Sequence, residues 1–412
     1  MKSWRIRTIG EVTTIVNGGT PKSELSEYWN GDVFWITPKD MGKLESIYVS
    51  NTSRKISQSG LQKSSAKLIP NNSVILSTRA PIGHLAINQV AMATNQGCRG
   101  LVPKSDIDTK FLFYFLKLNT QLLDDLGTGT TFKELSTNSL AGVKIPLPPL
   151  PEQKRIVEIL DEAFEGIDRA IALAEKNLAN ARELFESYLN AIFTQKGDGW
   201  EKKKLGDIAT FRNGLNFTKS SKGESIKIVG VKDFQNHFWI QEAQLDSVTI
   251  DTNLKEIDIL RKGDILAVRS NGNKELIGRC VLADELSEKT SHSGFTIRIR
   301  IERKDIYPQF IVHYLKSREL RKQLVESGGG ISISSLNQQG LSLIIISFPT
   351  FLEQKAIVAN IDEIASETQR LENIYRQKIA ALNELKQSIL QKAFTGELTA
   401  DTPKAAKEVT AA

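Results

Sequence analysis

Several absences narrow this sequence before any motif is read. Only two cysteines occur in 412 residues, Cys98 and Cys280. They fit a reducing compartment without a disulfide framework, and each is expected as a small buried residue, not a nucleophile. No apolar run approaches the ~18 residues of a membrane span. The longest cluster, Leu343 to Phe348, has the length of a buried strand. Met1-Lys2-Ser3-Trp4 leads directly into patterned sequence, so no signal peptide is expected and the cytoplasm is the expected location. The four histidines, His84, His237, His292 and His313, are scattered without metal-ligand spacing. Enzyme signatures are missing too. Gly127 to Lys133 reads GTGTTFK, with its lysine misplaced for a phosphate loop, and there is no G-x-S-x-G or H-E-x-x-H. Glu384-Leu385-Lys386 has the acidic-x-Lys spacing of nucleases but lies mid-helix on a charged face. Nothing supplies a pocket for a methyl-transfer cofactor. The chain reads as a binder.

What is present is a long internal repeat, the feature to seek before any other. Pro148, Glu152-Gln153-Lys154, Ile156-Val157, Asp161-Glu162 and Phe193-Thr194 recur as Pro349, Glu353-Gln354-Lys355, Ile357-Val358, Asp362-Glu363 and Phe394-Thr395, every pair 201 apart. A constant offset over that length predicts two copies of one long helix. Between them lie repeats whose offset drifts. Trp4, Gly10-Glu11 and Asn17-Gly18 match Trp200, Gly206-Asp207 and Asn213-Gly214 at 196. Lys39-Asp40 matches Lys232-Asp233 at 193, and Ile75-Leu76 with Arg79 matches Ile265-Leu266 with Arg269 at 190. The molecule is therefore a globule plus a long helix, written twice.

Each helix starts at prolines, tolerated in a first turn, with an acidic residue near the positive end of the dipole. About 43 residues at ~1.5 Å each give about 65 Å, more than a globule diameter of about 35–40 Å. The apolar positions follow a 4-3 rhythm, the seam of a coiled coil. The expected seam residues are Ile167, Ile171, Leu178, Phe185 and Ile192 in the first helix, and Ile361, Ile364, Leu371, Leu382, Leu385 and Ile389 in the second. Neither stripe can be buried alone, so the helices are expected to pair, and a two-fold relation of the copies makes them antiparallel. The predicted fold class is α+β, with two homologous globular domains separated by two long antiparallel coiled-coil helices in a pseudo-two-fold circular arrangement. The expected boundaries are globules at 1–147 and 200–348, helical spacers at 148–199 and 349–398, and a patternless tail at 399–412.

The globules read as short strands bounded by Gly, Pro, Asn and Ser, with one helix each at Thr109–Leu118 and Pro308–Arg318. A net charge of +6 with pI near 9.0 suits a polyanionic partner, although basic proteins without nucleic acid are common. Candidate DNA contacts sit on two kinds of loop. Arg79 and Arg269 follow a strand, with Asn271 and Lys274 beside the latter, and an arginine there can fork onto a phosphate or a guanine edge. Thr128, Thr130, Thr131 and Lys133 in one copy, and Ser332 and Ser334 in the other, lie on glycine-hydroxyl runs that can meet a DNA backbone. Lys39 and Lys232 complete the set.

Pro148-Pro149-Leu150-Pro151-Glu152-Gln153-Lys154-Arg155-Ile156-Val157, the Leu205-Gly206-Asp207 start and the closing Ala393-Phe394-Thr395-Gly396-Glu397-Leu398 resemble the specificity subunits of type I restriction–modification enzymes over nearly the whole chain. The resemblance implies two target-recognition domains and no catalysis by this chain. Its partners would be double-stranded DNA, two methyltransferase (M) subunits that methylate adenine with S-adenosylmethionine, and translocase-nuclease (R) subunits that use ATP and Mg. Each globule would read one half of a bipartite asymmetric site, with centres about one helical turn (~34 Å) apart. The competing expectation is a coiled-coil protein scaffold with no DNA role.

Overall fold

The computed structural model describes residues 4–129, 133–218, 220–234, 237–251, 253–273, 276–318, 320 and 336–400. The chain forms two compact units, Met1–Ala174 with Gln377–Ala412, and Glu175–Arg376. Both division points fall inside long helices, Leu150–Thr194 and Phe351–Thr395, each of 45 residues. Each unit thus owns one globule and a segment of both helices. No helix among the described residues is long and apolar enough to cross a membrane.

In the first unit the strands are β1 (Arg5–Thr8), β2 (Thr13–Asn17), β3 (Trp29–Ile36), β4 (Tyr48–Val49), β5 (Arg54–Ile56), β6 (Val74–Thr78), β7 (Ile82–Asn88), β8 (Ala93–Thr94), β9 (Cys98–Pro103) and β10 (Lys144–Leu147). They form sheets in the orders β2-β9-β6-β7-β4, β5-β3-β8 and β1-β10. The second unit has β11 (Glu201–Lys204), β12 (Ala209–Asn213), β13 (Ser225–Val229), β14 (Asp246–Thr249), β15 (Ile265–Val268), β16 (Cys280–Leu282), β17 (Thr290–His292), β18 (Thr296–Ile301) and β19 (Ile345–Phe348). Their orders are β12-β18-β15-β16, β14-β13-β17 and β11-β19. Among the described residues the two topologies match strand for strand, except that the first carries the extra edge strand β4. β6 and β15 are central strands buried throughout; Val74-Ile75-Leu76 and the whole of β15 are apolar, and Ser77 and Thr78 are buried with them. The helix expected at Thr109–Leu118 is present, capped by the Asp108 carboxylate on Phe111 N–H, and its counterpart Pro308–Lys316 stops two residues early.

The repeated motifs now have physical reasons. Glu11 and Asp207 each accept the backbone N–H three residues earlier, from Thr8 and Lys204, which caps the turn that follows β1 or β11. The glycine before each leaves room for a neighbour: a Cβ on Gly10 would stand 3.1 Å from that of Ala141, and on Gly206 2.9 Å from that of Ser342. At Gly18 a Cβ would meet Asn95 O at 1.8 Å, and at Gly214 it would meet Ser293 O at 2.2 Å. Only glycine fits at either place. Gln153 is fully buried: its Oε1 accepts Asp108 N–H at 2.8 Å, and its Nε2 donates to the carbonyls of Asp106 and Pro148. Gln354 repeats this with Tyr307, Asp305 and Pro349.

Within each unit the helices run antiparallel. In the first unit, Glu152 pairs with Thr399 and Asp168 with Lys386, so numbers rise along one helix as they fall along the other. In the second unit, Arg182 forks onto Glu372, and Leu189 and Phe193 share a core with Val358 and Ile361. Ile167 and Ile361 are buried, and Ile171, Leu382 and Ile389 pack on the first core as Phe185 and Ile192 do on the second. Leu178 and Ile364 are half-buried. Two expected seam residues are corrected. Leu385 is 47% exposed and Leu371 36%, because the following residue takes the inward place. Lys386 Nζ lies 5.0 Å from the Phe164 ring centroid while pairing with Asp168, and Glu372 holds both Arg182 and Arg376. One residue turns a helix by about 100°, so a charged residue on the seam swings the preceding leucine to solvent.

Candidate nucleic-acid interface

The two loops singled out in the first unit are brought together. Thr128 and Glu134 exchange backbone hydrogen bonds of 3.0 and 2.9 Å, closing the glycine-hydroxyl loop at its base. The Glu134 carboxylate then reaches Arg79 at 3.6 Å and Arg99 at 3.3 Å. Lys133 is paired with Asp124 at 2.7 Å. Thr128 is exposed. Thr130, Thr131, Lys274, Ser332 and Ser334 lie outside the described residues. Arg99 also donates to Thr137 Oγ1 and to the carbonyls of Gln96 and Cys98, so it locks this corner in place.

The backbone corrects the equivalence of Arg79 with Arg269. β6 pairs Leu76 with Arg99 on β9, whereas β15 pairs Ala267 with Ile297 on β18. β9 and β18 are themselves aligned by Asn17 opposite Arg99 and Asn213 opposite Ile297. Leu76 therefore corresponds to Ala267, an offset of 191 and not 190, and Arg269 occupies the place of Thr78. Hydrogen bonds agree. Thr78 N–H donates to Gly97 O at 2.8 Å and its carbonyl accepts from Leu135 at 2.9 Å; Arg269 N–H donates to Phe295 O at 2.9 Å and its carbonyl accepts from Leu336 at 2.7 Å. A slip of one residue on a strand moves a side chain to the other face. The two arginines thus leave one frame in different directions. Arg269 keeps Nε buried, with no hydrogen-bond partner among the described residues, and the neighbouring Phe295 is 62% exposed. Asn271 Oδ1 accepts the Asn273 N–H, which shapes the loop.

The second sheet of each unit carries Lys39 and Lys232. Lys39-Asp40 belongs to a turn in which Asp40 Oδ2 accepts Thr37 N–H at 2.9 Å and Thr37 Oγ1–H at 2.8 Å. Asp233 plays the same part by accepting Gly230 N–H at 2.8 Å, and burial raises its pKa. Lys39 is exposed and borders an open concavity of about 710 Å³ with Lys43, Asn51, Thr52, Ser53 and Arg54. Lys232 instead pairs with Asp246 at 2.7 Å, which raises the lysine pKa.

Two groups escaped the sequence reading. Arg54 lies with its guanidinium carbon 3.8 Å from the Trp29 ring centroid and 5.2 Å from that of Trp35. The available signal was a basic pair, Arg54-Lys55, close to the aromatic-rich strand Trp29–Ile36. The second unit holds an arginine ladder across β12 and β18. Arg212 pairs with Asp258, and Arg300 forks onto Asp264 at 2.6 and 2.7 Å. Arg298 lies beside them, buried, with its pKa lowered by desolvation. The cysteines are buried, and burial pushes the Cys98 thiol up to about 12, far from a reactive thiolate.

This doubled frame coincides with a known family. The model of the type I restriction modification DNA specificity domain matches residues 1–178 and again 197–381. The chain belongs to the type I restriction–modification DNA specificity family. The MjaIX specificity subunit of Methanocaldococcus jannaschii is 35% identical over 234 residues, 52% of this chain and 54% of that protein. The match to that relative therefore spans about half its length. Longer matches join this member of the family to the StySPI specificity subunit of Salmonella potsdam (25% identical) and to the EcoKI specificity subunit of Escherichia coli (26%), each over 97% of this chain and 90% of that protein. Among solved structures, a chain from work on complex assembly and conformational transition of the type I R-M system superposes with TM-score 0.77 at 20% identity, covering 97% of this chain and 99% of that one. The HsdS subunit from Thermoanaerobacter tengcongensis gives 0.60 at 21% identity, covering 97% and 98%. At these identities the structures establish the fold alone.

Proposed function

We propose that this specificity-family chain reads a bipartite, asymmetric DNA site, one globule per half-site, without catalysing a reaction itself. The observation that carries the reading is the doubled strand-end frame. Backbone hydrogen bonds hold Thr78 and Arg269 identically, while the side chains presented around them differ. A constant scaffold bearing different loops suits two related but unequal recognition events. Phosphate contacts from basic residues would position each globule, and base-edge contacts would select sequence. The long helices would set the distance between half-sites and offer surface to two M subunits and to R subunits. S-adenosylmethionine, ATP and Mg would belong to those partners.

Methylation mapping tests this. In a genome carrying this chain and its methyltransferase partner, modified adenines should lie in two short, unlike half-sites separated by unread bases. The complex should also bind that duplex with an affinity that falls linearly in log–log form with salt, through counterion release. A continuous motif, or salt-independent binding, would defeat the reading and favour a protein scaffold.

A further inference from the structure

The side chain best prepared to read a base in the first unit is one that neither the loop pattern nor the family match indicates. We infer that Arg54 reads a guanine edge in the first half-site, with Lys39 and Lys43 on the adjoining phosphates. This inference rests on the DNA-reading function proposed above and names the residues that carry it.

Three observations converge. First, the guanidinium is held by a platform that is itself fixed. Trp29 and Trp35 meet edge to face with centroids 5.2 Å apart, and each indole N–H is tied to backbone: Trp29 to Lys22 O at 3.2 Å, Trp35 to Gly19 O at 2.9 Å. An arginine stacked 3.8 Å from Trp29 loses little freedom when its planar donors engage a ligand. Second, no carboxylate among the described residues pairs with Arg54, Lys39 or Lys43. The one carboxylate lining the concavity, Asp40, is engaged by Thr37 N–H and Oγ1–H and by Ser53 Oγ–H at 2.5 Å. By contrast Arg79, Arg99 and Lys133 already have acidic partners. A free, flat fork beside two free ammonium groups suits guanine O6 and N7 with flanking phosphates.

Third, the same place in the second unit has the opposite charge. β3 pairs Trp35 with Arg54, and β13 pairs Ile228 with Asp246. The parallel partners β8 and β17 put Ile36 opposite Thr94 and Val229 opposite His292, which makes Trp35 the counterpart of Ile228. Asp246 therefore stands where Arg54 stands, and it pairs with Lys232, the counterpart of Lys39. One sheet position thus carries a free cation in one copy and an internal ion pair in the other, as expected where two copies of a frame read different bases.

The test uses the full chain bound to its methyltransferase partner, with its mapped target duplex as probe. Competing duplexes carry single base-pair changes in either half-site, and a scrambled duplex measures non-specific binding. Arg54→Ala should lower discrimination at one base pair of the first half-site by about 5- to 150-fold and leave the second half-site unchanged. Arg54→Lys, which keeps charge but loses the fork, should reproduce most of that loss. Equal weakening on target and scrambled duplex, or discrimination unchanged in Arg54→Ala, would overturn the inference while the wild-type preference keeps the parent function standing. A wild-type complex with no preference for its mapped site would overturn both.

Discussion

At the scale of the residue, the buried imidazole of His292 ties the stability of the second unit to pH. Its Nδ1 lies 2.8 Å from Thr296 Oγ1 and the residue is 1% exposed. Burial, reinforced by Arg298, holds its pKa down to about 3, against the opposing pull of Asp258. The folded chain keeps the ring neutral while the unfolded chain protonates it near pH ~6.5. The unfolded state therefore binds more protons below that pH, and stability is lost as pH falls from about 6.5 toward 3. His313, also pushed down by burial, adds to the same trend although Asp362 opposes it. Replacing His292 with Asn should flatten the decline by about 2 kcal/mol between pH 6.5 and 5, measured by urea denaturation. A variant whose decline parallels the wild type would assign the effect to other groups.

At the scale of the element, the second long helix completes the core of a globule far from it in sequence. Phe394, near the end of the second helix, packs its ring 4.9 Å from Phe111 and 5.6 Å from Phe115 in the first unit. Phe394→Ala should destabilise the first unit by about 3–5 kcal/mol and leave hydrogen exchange in the second unit near wild type. Faster exchange in both units alike would show that they unfold together. The pairing of the helices was legible because an apolar stripe with a 4-3 rhythm must be covered. The inward side was less so, because rhythm counts apolar residues and Lys386 and Glu372 serve on the seam through their stems and ion pairs. The Glu-Gln-Lys motif was visible twice, yet only the fold shows that the glutamine joins helix start to globule. Likewise, alignment matched Arg79 to Arg269 by residue type, whereas the strands pair one residue away. Loop side chains obey no period, so Arg54 became visible only once β5 was set against β3 and its tryptophans.

At the scale of the whole molecule, the repeated contacts predict what half of the chain will do alone. Phe193 touches Phe310 and Tyr314 at 5.4 and 4.7 Å in the second unit, just as Phe394 touches Phe111 and Phe115 in the first. A fragment of residues 1–199 retains the first globule and the complete first helix but lacks Leu390, Ala393 and Phe394, which close the first core. Its own residues Leu189, Ile192 and Phe193 stand 201 positions earlier in the same repeat. The end of one fragment can therefore fill the gap in another, with each completing its partner's core. The expected product is a two-fold dimer with the first globule in both places. Supplied with the proposed methyltransferase partner, that dimer should methylate a palindrome made of the first half-site and its inverted copy. A stable folded monomer in sedimentation would remove the helix-exchange argument. A dimer that still methylated the original asymmetric site would remove the assignment of one half-site to each globule.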